Sequence, residues 1–99
     1  MFDKQLLNDK SIIVTGGGTG LGKSMALRFA ELGADLVITS RRKEVIEKTA
    51  EELREHGGKV LAIACDVRDP DQVNDMVSQT VNEFGKIDIL LNNAAGNFI

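Results

Sequence analysis

The 99-residue sequence predicts a parallel α/β sheet wound on both faces, with four strands and three helices. Short, β-branched apolar runs alternate with stretches whose apolar residues recur at helical spacing. The ten glycines, against a single proline, cluster at the junctions between these stretches instead of forming linkers. The short runs are also too uniformly apolar for strands with one solvated face, the pattern of a parallel sheet covered by helices.

Residues 1–10 form a polar lead-in, and Ser11–Thr15 (SIIVT) reads as the first buried strand. Across residues 20–32, Leu21, Met25, Phe29 and Leu32 recur at intervals of four, four and three, which predicts one inward helical face. Residues 36–39 make the second strand. The second helix covers residues 43–56, with Val45, Ile46, Thr49, Ala50 and Leu53 inward. Its solvated face carries Glu44, Glu47, Glu51, Glu52 and Glu55, and His56 falls in its last turn, where a cation complements the dipole. Val60–Ala64 is the third strand. Asp69 then supplies an N-cap and Pro70 takes the first helical position, where its missing N–H is harmless. Val73, Val77, Val81 and Phe84 carry the inner face of a helix over residues 70–84, and residues 87–91 form the fourth strand. Gly33, Gly57 and Gly85 each follow a helical stretch, where a left-handed residue ends a helix. With right-handed crossovers and strand order 3-2-1-4, the first two helices cover one face and the third covers the other.

Lys and Arg total 12 against 15 Asp and Glu, a net charge of −3 that disfavours nucleic-acid and anionic-membrane surfaces. No apolar run approaches the ~20 residues of a membrane span. The single cysteine, Cys65, has no internal disulfide partner and suits a reducing cytoplasm. One histidine and one cysteine leave no Cys/His metal site. No repeat or linker divides the chain, so residues 1–99 read as one unit.

Five glycines crowd the turn between the first strand and the first helix: Gly16, Gly17, Gly18, Gly20 and Gly22. A helix N-terminus offers unpaired N–H groups and the positive end of the dipole, so a phosphate is its natural ligand. Two signatures overlap there. Residues 17–24 satisfy G-x-x-x-x-G-K-[ST], the triphosphate loop of nucleotide hydrolases, with Asp66 after the third strand in the place of a Mg²⁺ ligand. Thr15-Gly16-x-x-x-Gly20-x-Gly22 also matches a widely spaced dinucleotide turn. The second strand favours the latter. Dinucleotide folds place an acid at its end to bind a free ribose 2′-hydroxyl. This strand ends instead in Thr39-Ser40-Arg41-Arg42, a hydroxyl and two guanidinium groups suited to a 2′-phosphate and hence to NADP.

Taken together, these residues resemble the short-chain dehydrogenase/reductase family. Residues 15–22 (TGGGTGLG) resemble its cofactor turn, Asp66-Val67 its adenine-binding pair, and Asn92-Asn93-Ala94-Ala95-Gly96 its N-N-A-G motif. The string NNAAGNFI, with TGGGTGLG and Ser40-Arg41, is most similar to the 2,4-dienoyl-CoA reductases, and neighbouring enoyl-CoA reductases carry similar strings. The resemblance implies a Rossmann-type domain and NADP-dependent reduction of an unsaturated acyl-CoA in fatty acid metabolism. It implies a cofactor site of Gly16, Gly18, Thr19, Gly20, Leu21, Gly22, Ser40, Arg41, Arg42, Asp66, Val67, Asn92, Ala94 and Gly96. Arg41 would hold the 2′-phosphate, Asp66 would accept the adenine amino group, and Arg68, Asn97 and Phe98 would meet the acyl-CoA substrate. Asp66 has a structural alternative as a cap on the turn into Arg68-Asp69. The turn holds Thr19 where many NADP-preferring members have a basic residue, and Ala95 stands where the family more often has glycine.

The family's Tyr-x-x-x-Lys acid is not present, and the sequence contains no tyrosine. The expectation is therefore that residues 1–99 are the N-terminal dinucleotide-binding portion of a longer cytoplasmic reductase, a tetramer by the same resemblance. On that view the chain carries no catalytic residue and is inactive alone. A triphosphate-loop hydrolase and a non-catalytic nucleotide-binding half-domain stand as the alternatives.

Overall fold

The computed structural model describes residues 5–93. Strands and helices alternate as β1 (Ser11–Thr15), α1 (Gly20–Glu31), β2 (Asp35–Ser40), α2 (Lys43–Arg54), β3 (Val60–Ala64), α3 (Pro70–Phe84) and β4 (Ile89–Asn92). The sheet order is β3-β2-β1-β4 and all pairings are parallel. Ile12 stands opposite Leu36 on one side and Ile89 on the other, and Leu36 stands opposite Val60. The doubly wound, Rossmann-type class expected from the sequence is the class observed.

Period-two alternation along β1 and β2 divides the core into two clusters. Ile12, Val14, Leu36 and Ile38 pack with Ala26 and Ala30 of α1 and with Ile46, Ala50 and Leu53 of α2. Ile13 and Val37 pack with Cys65 and Met76, flanked by Leu61, Ile63, Val73, Val77 and Phe84. All four of Ile12, Leu36, Ile38 and Ile46 are fully buried, each stabilising the fold by roughly 1.5–3 kcal/mol. The helices thus lie on the two faces as the topology requires.

The inner face of α1 is rotated from the one that apolar spacing predicts. Gly22, Ala26 and Ala30 are buried, whereas Leu21 is 67% exposed and Phe29 packs only at the margin of the core. The cause is steric. The helix leaves a tight turn directly above the sheet, so its near side takes only hydrogen or methyl side chains, and larger residues are displaced to the flanks.

Other departures are local. Helix α2 ends at Arg54, because bonds from Glu55, His56 and Gly57 N–H to the carbonyls three residues back tighten the chain into a turn. His56 therefore lies beyond the helix, and Gly57 closes the turn at φ +98°. Strand β4 starts at Ile89, not Ile87. Before it, Asp88 closes on β1, with its N–H donating to Ser11 O at 2.8 Å and its Oδ2 accepting from Ser11 N–H at 2.9 Å. On α3, Met76 and Thr80 are buried while Val81 is exposed, and the fully buried strands are β1 and most of β2. Strand β3 is half-buried, and Ile89 and Leu90 of β4 are exposed. No helix among the described residues is long and apolar enough to cross a membrane.

Candidate functional site

The C-terminal ends of β1, β2 and β3 open into a cleft of about 610 Å³. Its walls include Gly16, Gly18 and Thr19 of the glycine turn, Ser40, Arg41 and Arg42 after β2, and Asp66, Val67 and Arg68 after β3. Nine of the residues singled out from sequence are therefore brought together.

The turn is held by close backbone approach. The N–H groups of Gly16 and Gly17 donate to Thr39 O at 2.7 and 3.3 Å, which binds the turn to β2. A Cβ on Gly17 would stand 2.8 Å from the Ile38 side chain, and one on Gly18 would stand 2.8 Å from Val45. A Cβ on Gly22 would overlap the carbonyl oxygen of Gly16. The buried Thr49 hydroxyl donates to Gly18 O at 3.0 Å, tying the turn to α2. Asn93 Nδ2 reaches Gly16 O at 3.5 Å. Across β1 and β4, Thr15 Oγ1 donates to Asn92 Oδ1 at 2.9 Å, so Asn92 joins the sheet's end to the strand that leads into the turn.

Helix α1 begins without a side-chain cap. Thr19 takes the N-cap position in extended conformation but makes no capping bond, and the first turn contains no acid. The contrast is α3, where Asp69 accepts from the N–H groups of Asp71 and Gln72 and Pro70 removes a donor. The N-terminus of α1 thus keeps backbone donors and its positive dipole end directed at the turn, an arrangement that accommodates an anion. Leu21 contributes its backbone there, its side chain being exposed.

The cations of the cleft differ in their commitments. Arg42 forms a loose, exposed ion pair with Glu44 at 3.6 Å, and its N–H donates to Ser40 Oγ at 3.0 Å. Arg68 grips Asp66 in a fork, Nε to Oδ1 at 3.0 Å and Nη2 to Oδ2 at 2.9 Å, while Arg68 N–H also donates to Oδ1 at 2.9 Å. The capping role weighed for Asp66 is thus present in the fold, and Arg68 lies against this carboxylate. Arg41 is exposed and enters no salt bridge among the described residues.

The fork from Arg68, its N–H donation and its charge, with the charge of Arg41 behind them, hold the Asp66 carboxyl down to about 2. A carboxyl depressed in the folded state stabilises above its unfolded pKa of ~3.9, and the effect is lost as pH falls through the folded value. The expected result is an Asp66→Asn protein with a lower urea midpoint than the wild type from neutral pH to about 5. That gap should narrow between about pH 4 and pH 2. A gap independent of pH would assign the loss to packing.

Sequence reasoning missed three lining residues: Val45 closes the cleft from α2, and Thr39 and Cys65 also line it. A threonine in an otherwise apolar strand was the available signal for Thr39. Burial pushes the Cys65 thiol up, with the charges of Asp66 and Asp69 adding to it, so the group stays protonated and unreactive. Ala94, Gly96, Asn97 and Phe98 lie outside the described residues.

A parallel sheet ordered 3-2-1-4, with a glycine turn leading into an uncapped helix at its first crossover, defines the Rossmann-type nucleotide-binding class. Within it, the chain belongs to the short chain dehydrogenase family, whose model matches residues 10–98. This is a family of oxidoreductases that use NAD(P). A probable 2,4-dienoyl-CoA reductase of Bacillus subtilis (strain 168) is 43% identical over 93 residues, covering 94% of this chain and 37% of that protein. A probable 2,4-dienoyl-CoA reductase 3 of Caenorhabditis elegans is 50% identical over 95 residues, covering 94% and 31%. Among solved structures, a citronellol catabolism dehydrogenase of Pseudomonas aeruginosa PAO1 superposes with a TM-score of 0.85 at 42% identity, covering 91% of this chain and 38% of that one. The chain spans about a third of the length of these relatives. The triphosphate-loop alternative gains no support from them. Lys23, which that reading needs at the phosphates, pairs instead with Glu52 of α2 at 2.9 Å.

Proposed function

We propose that residues 1–99 form the N-terminal dinucleotide-binding portion of an NADP-dependent reductase acting on an unsaturated, 2,4-dienoyl or 2-enoyl, acyl-CoA in the cytoplasm. The observation that carries the cofactor choice is Arg41, an exposed guanidinium in the cleft with no salt bridge among the described residues. The absence of a Cβ at Gly17, Gly18 and Gly22 lets the turn pack against Ile38, Val45 and the Gly16 carbonyl, which holds it beside an N-terminus of α1 without cap or acid, a place suited to the pyrophosphate.

In this reading the turn and the first N–H groups of α1 hold the pyrophosphate, Arg41 and Ser40 hold the 2′-phosphate, and Asp66 with Val67 takes the adenine. Asn92 would orient the ribose on the nicotinamide side from its place against Thr15. The nicotinamide supplies the hydride chemistry when bound, and this chain's residues bind and orient it. The acyl-CoA class is supported by the names of the relatives. Titration of the full chain with NADPH and NADH tests the reading. Binding of NADPH at least tenfold tighter is expected, and equal or reversed affinities would overturn the NADP assignment.

A further inference from the structure

Two threonines are buried on helices, Thr49 of α2 and Thr80 of α3. Thr80 bonds as a helical threonine ordinarily does, its Oγ1 donating at 2.8 Å to Met76 O, four residues back in the same helix. Thr49 instead sends its hydroxyl out of α2, to Gly18 O at 3.0 Å. Among the described residues it is the only donor to that carbonyl. Packing seats the turn on the same stretch of α2, because a Cβ on Gly18 would stand 2.8 Å from Val45 and 3.2 Å from Ile46. One helical turn further along, Glu52 pairs with Lys23 of α1 at 2.9 Å. Helix α2 thus holds both the glycine turn and the start of the helix that follows it.

The Thr49 bond fixes the direction of a peptide group. In a trans peptide the carbonyl and the following N–H point opposite ways. Tying Gly18 O to α2 therefore turns the Thr19 N–H away from that helix. Gly18 and Thr19 both line the cleft, and the Thr19 N–H has no acceptor among the described residues. Little else restrains this peptide: Gly18 has no Cβ to limit its rotation, and Thr19 is extended without a capping bond. Valine at position 49 would fill the same space but leave the Gly18 carbonyl unpaired. Rotation of the peptide would then aim a carbonyl oxygen, not a donor, at an anion in the cleft.

We infer that Thr49 is a positioning residue for the dinucleotide: its hydroxyl sets the Gly18–Thr19 peptide so that the Thr19 N–H is presented to the pyrophosphate. The inference rests on the dinucleotide reading of the cleft. Thr49→Val in the full chain is expected to weaken NADPH and NADH binding by the same factor, roughly fivefold, because the pyrophosphate is common to both. Thr49→Ser keeps the donor and should bind both within about twofold of the wild type. Thr80→Val removes a comparably buried hydroxyl from α3 and should leave both affinities unchanged even where the thermal midpoint falls. In the wild type, the Thr19 amide hydrogen should exchange at least about tenfold more slowly once NADPH is bound, a measurement that needs no variant. Unchanged affinities in Thr49→Val would overturn the inference, as would equal losses in Thr49→Val and Thr80→Val. So would failure of serine to restore binding, or a Thr19 amide whose exchange NADPH does not slow. A wild-type protein that binds neither NADPH nor NADH would instead overturn the dinucleotide reading itself.

Discussion

Gly22→Ala is expected to abolish measurable dinucleotide binding and to destabilise the fold by about 2 kcal/mol or more. Two effects oppose each other. Alanine is the better helix former, by about 1 kcal/mol at an interior position. The added methyl group, however, would overlap the Gly16 carbonyl oxygen and stand 2.8 Å from Asn93 Nδ2. The Asn93 amide ends a side chain and can give way, but the Gly16 carbonyl is backbone and cannot. Gly16 holds a positive φ of 67° and is bonded to Thr39 O, so its displacement moves the whole turn. Overpacking against backbone wins over propensity. Gly20→Ala separates the two kinds of cost, since Gly20 has a φ of +57° but nothing within 4 Å of its Cβ position. It should lose about 1–2 kcal/mol from backbone strain. Urea unfolding gives both stabilities and NADPH titration gives the binding. An Gly22→Ala protein as stable as the wild type would show that α1 can lift from the turn without penalty.

The glycine turn also shows which features could be read from the sequence. Its place, between an apolar strand and a helical stretch, was legible because local spacing marks the ends of elements. So were the helix stops at Gly33 and Gly85 and the Asp69-Pro70 start of α3, each of which depends on nearby residues. What escaped depends on distances across the fold. The rotation of α1 is set by the close approach of Gly22 to the Gly16 carbonyl, and not by where its leucines recur. Thr49 reads as an inward residue of α2, yet its role is to hold Gly18 across 31 positions. The Asp66–Arg68 fork illustrates the converse. It is wholly local, and the spacing allowed it, but the same aspartate had a second reading toward a ligand, and local spacing cannot rank the two.

Arg41→Ala is expected to cost the protein its preference for the phosphorylated cofactor. Charge-assisted hydrogen bonds contribute about 1.5–3 kcal/mol, which corresponds to a loss of roughly 10- to 100-fold in NADPH affinity. Arg41 is exposed, so solvent screening places the effect toward the lower end and makes it shrink as salt is raised. NADH lacks the 2′-phosphate and should bind within about threefold of its wild-type affinity, because Arg41 has no salt bridge to lose among the described residues. Arg42→Ala should do less to either cofactor. Its guanidinium already faces Glu44, and the Ser40 Oγ bond it contributes to comes from its backbone N–H, which alanine retains. The useful measurement is the ratio of the two affinities, which cancels any common loss from local disorder in the loop. A ratio unchanged by Arg41→Ala would move the 2′-phosphate site elsewhere. A ratio lowered equally by Arg41→Ala and Arg42→Ala would mean that the Arg42–Glu44 pair opens and both guanidinium groups close on the phosphate, as a bidentate clamp requires.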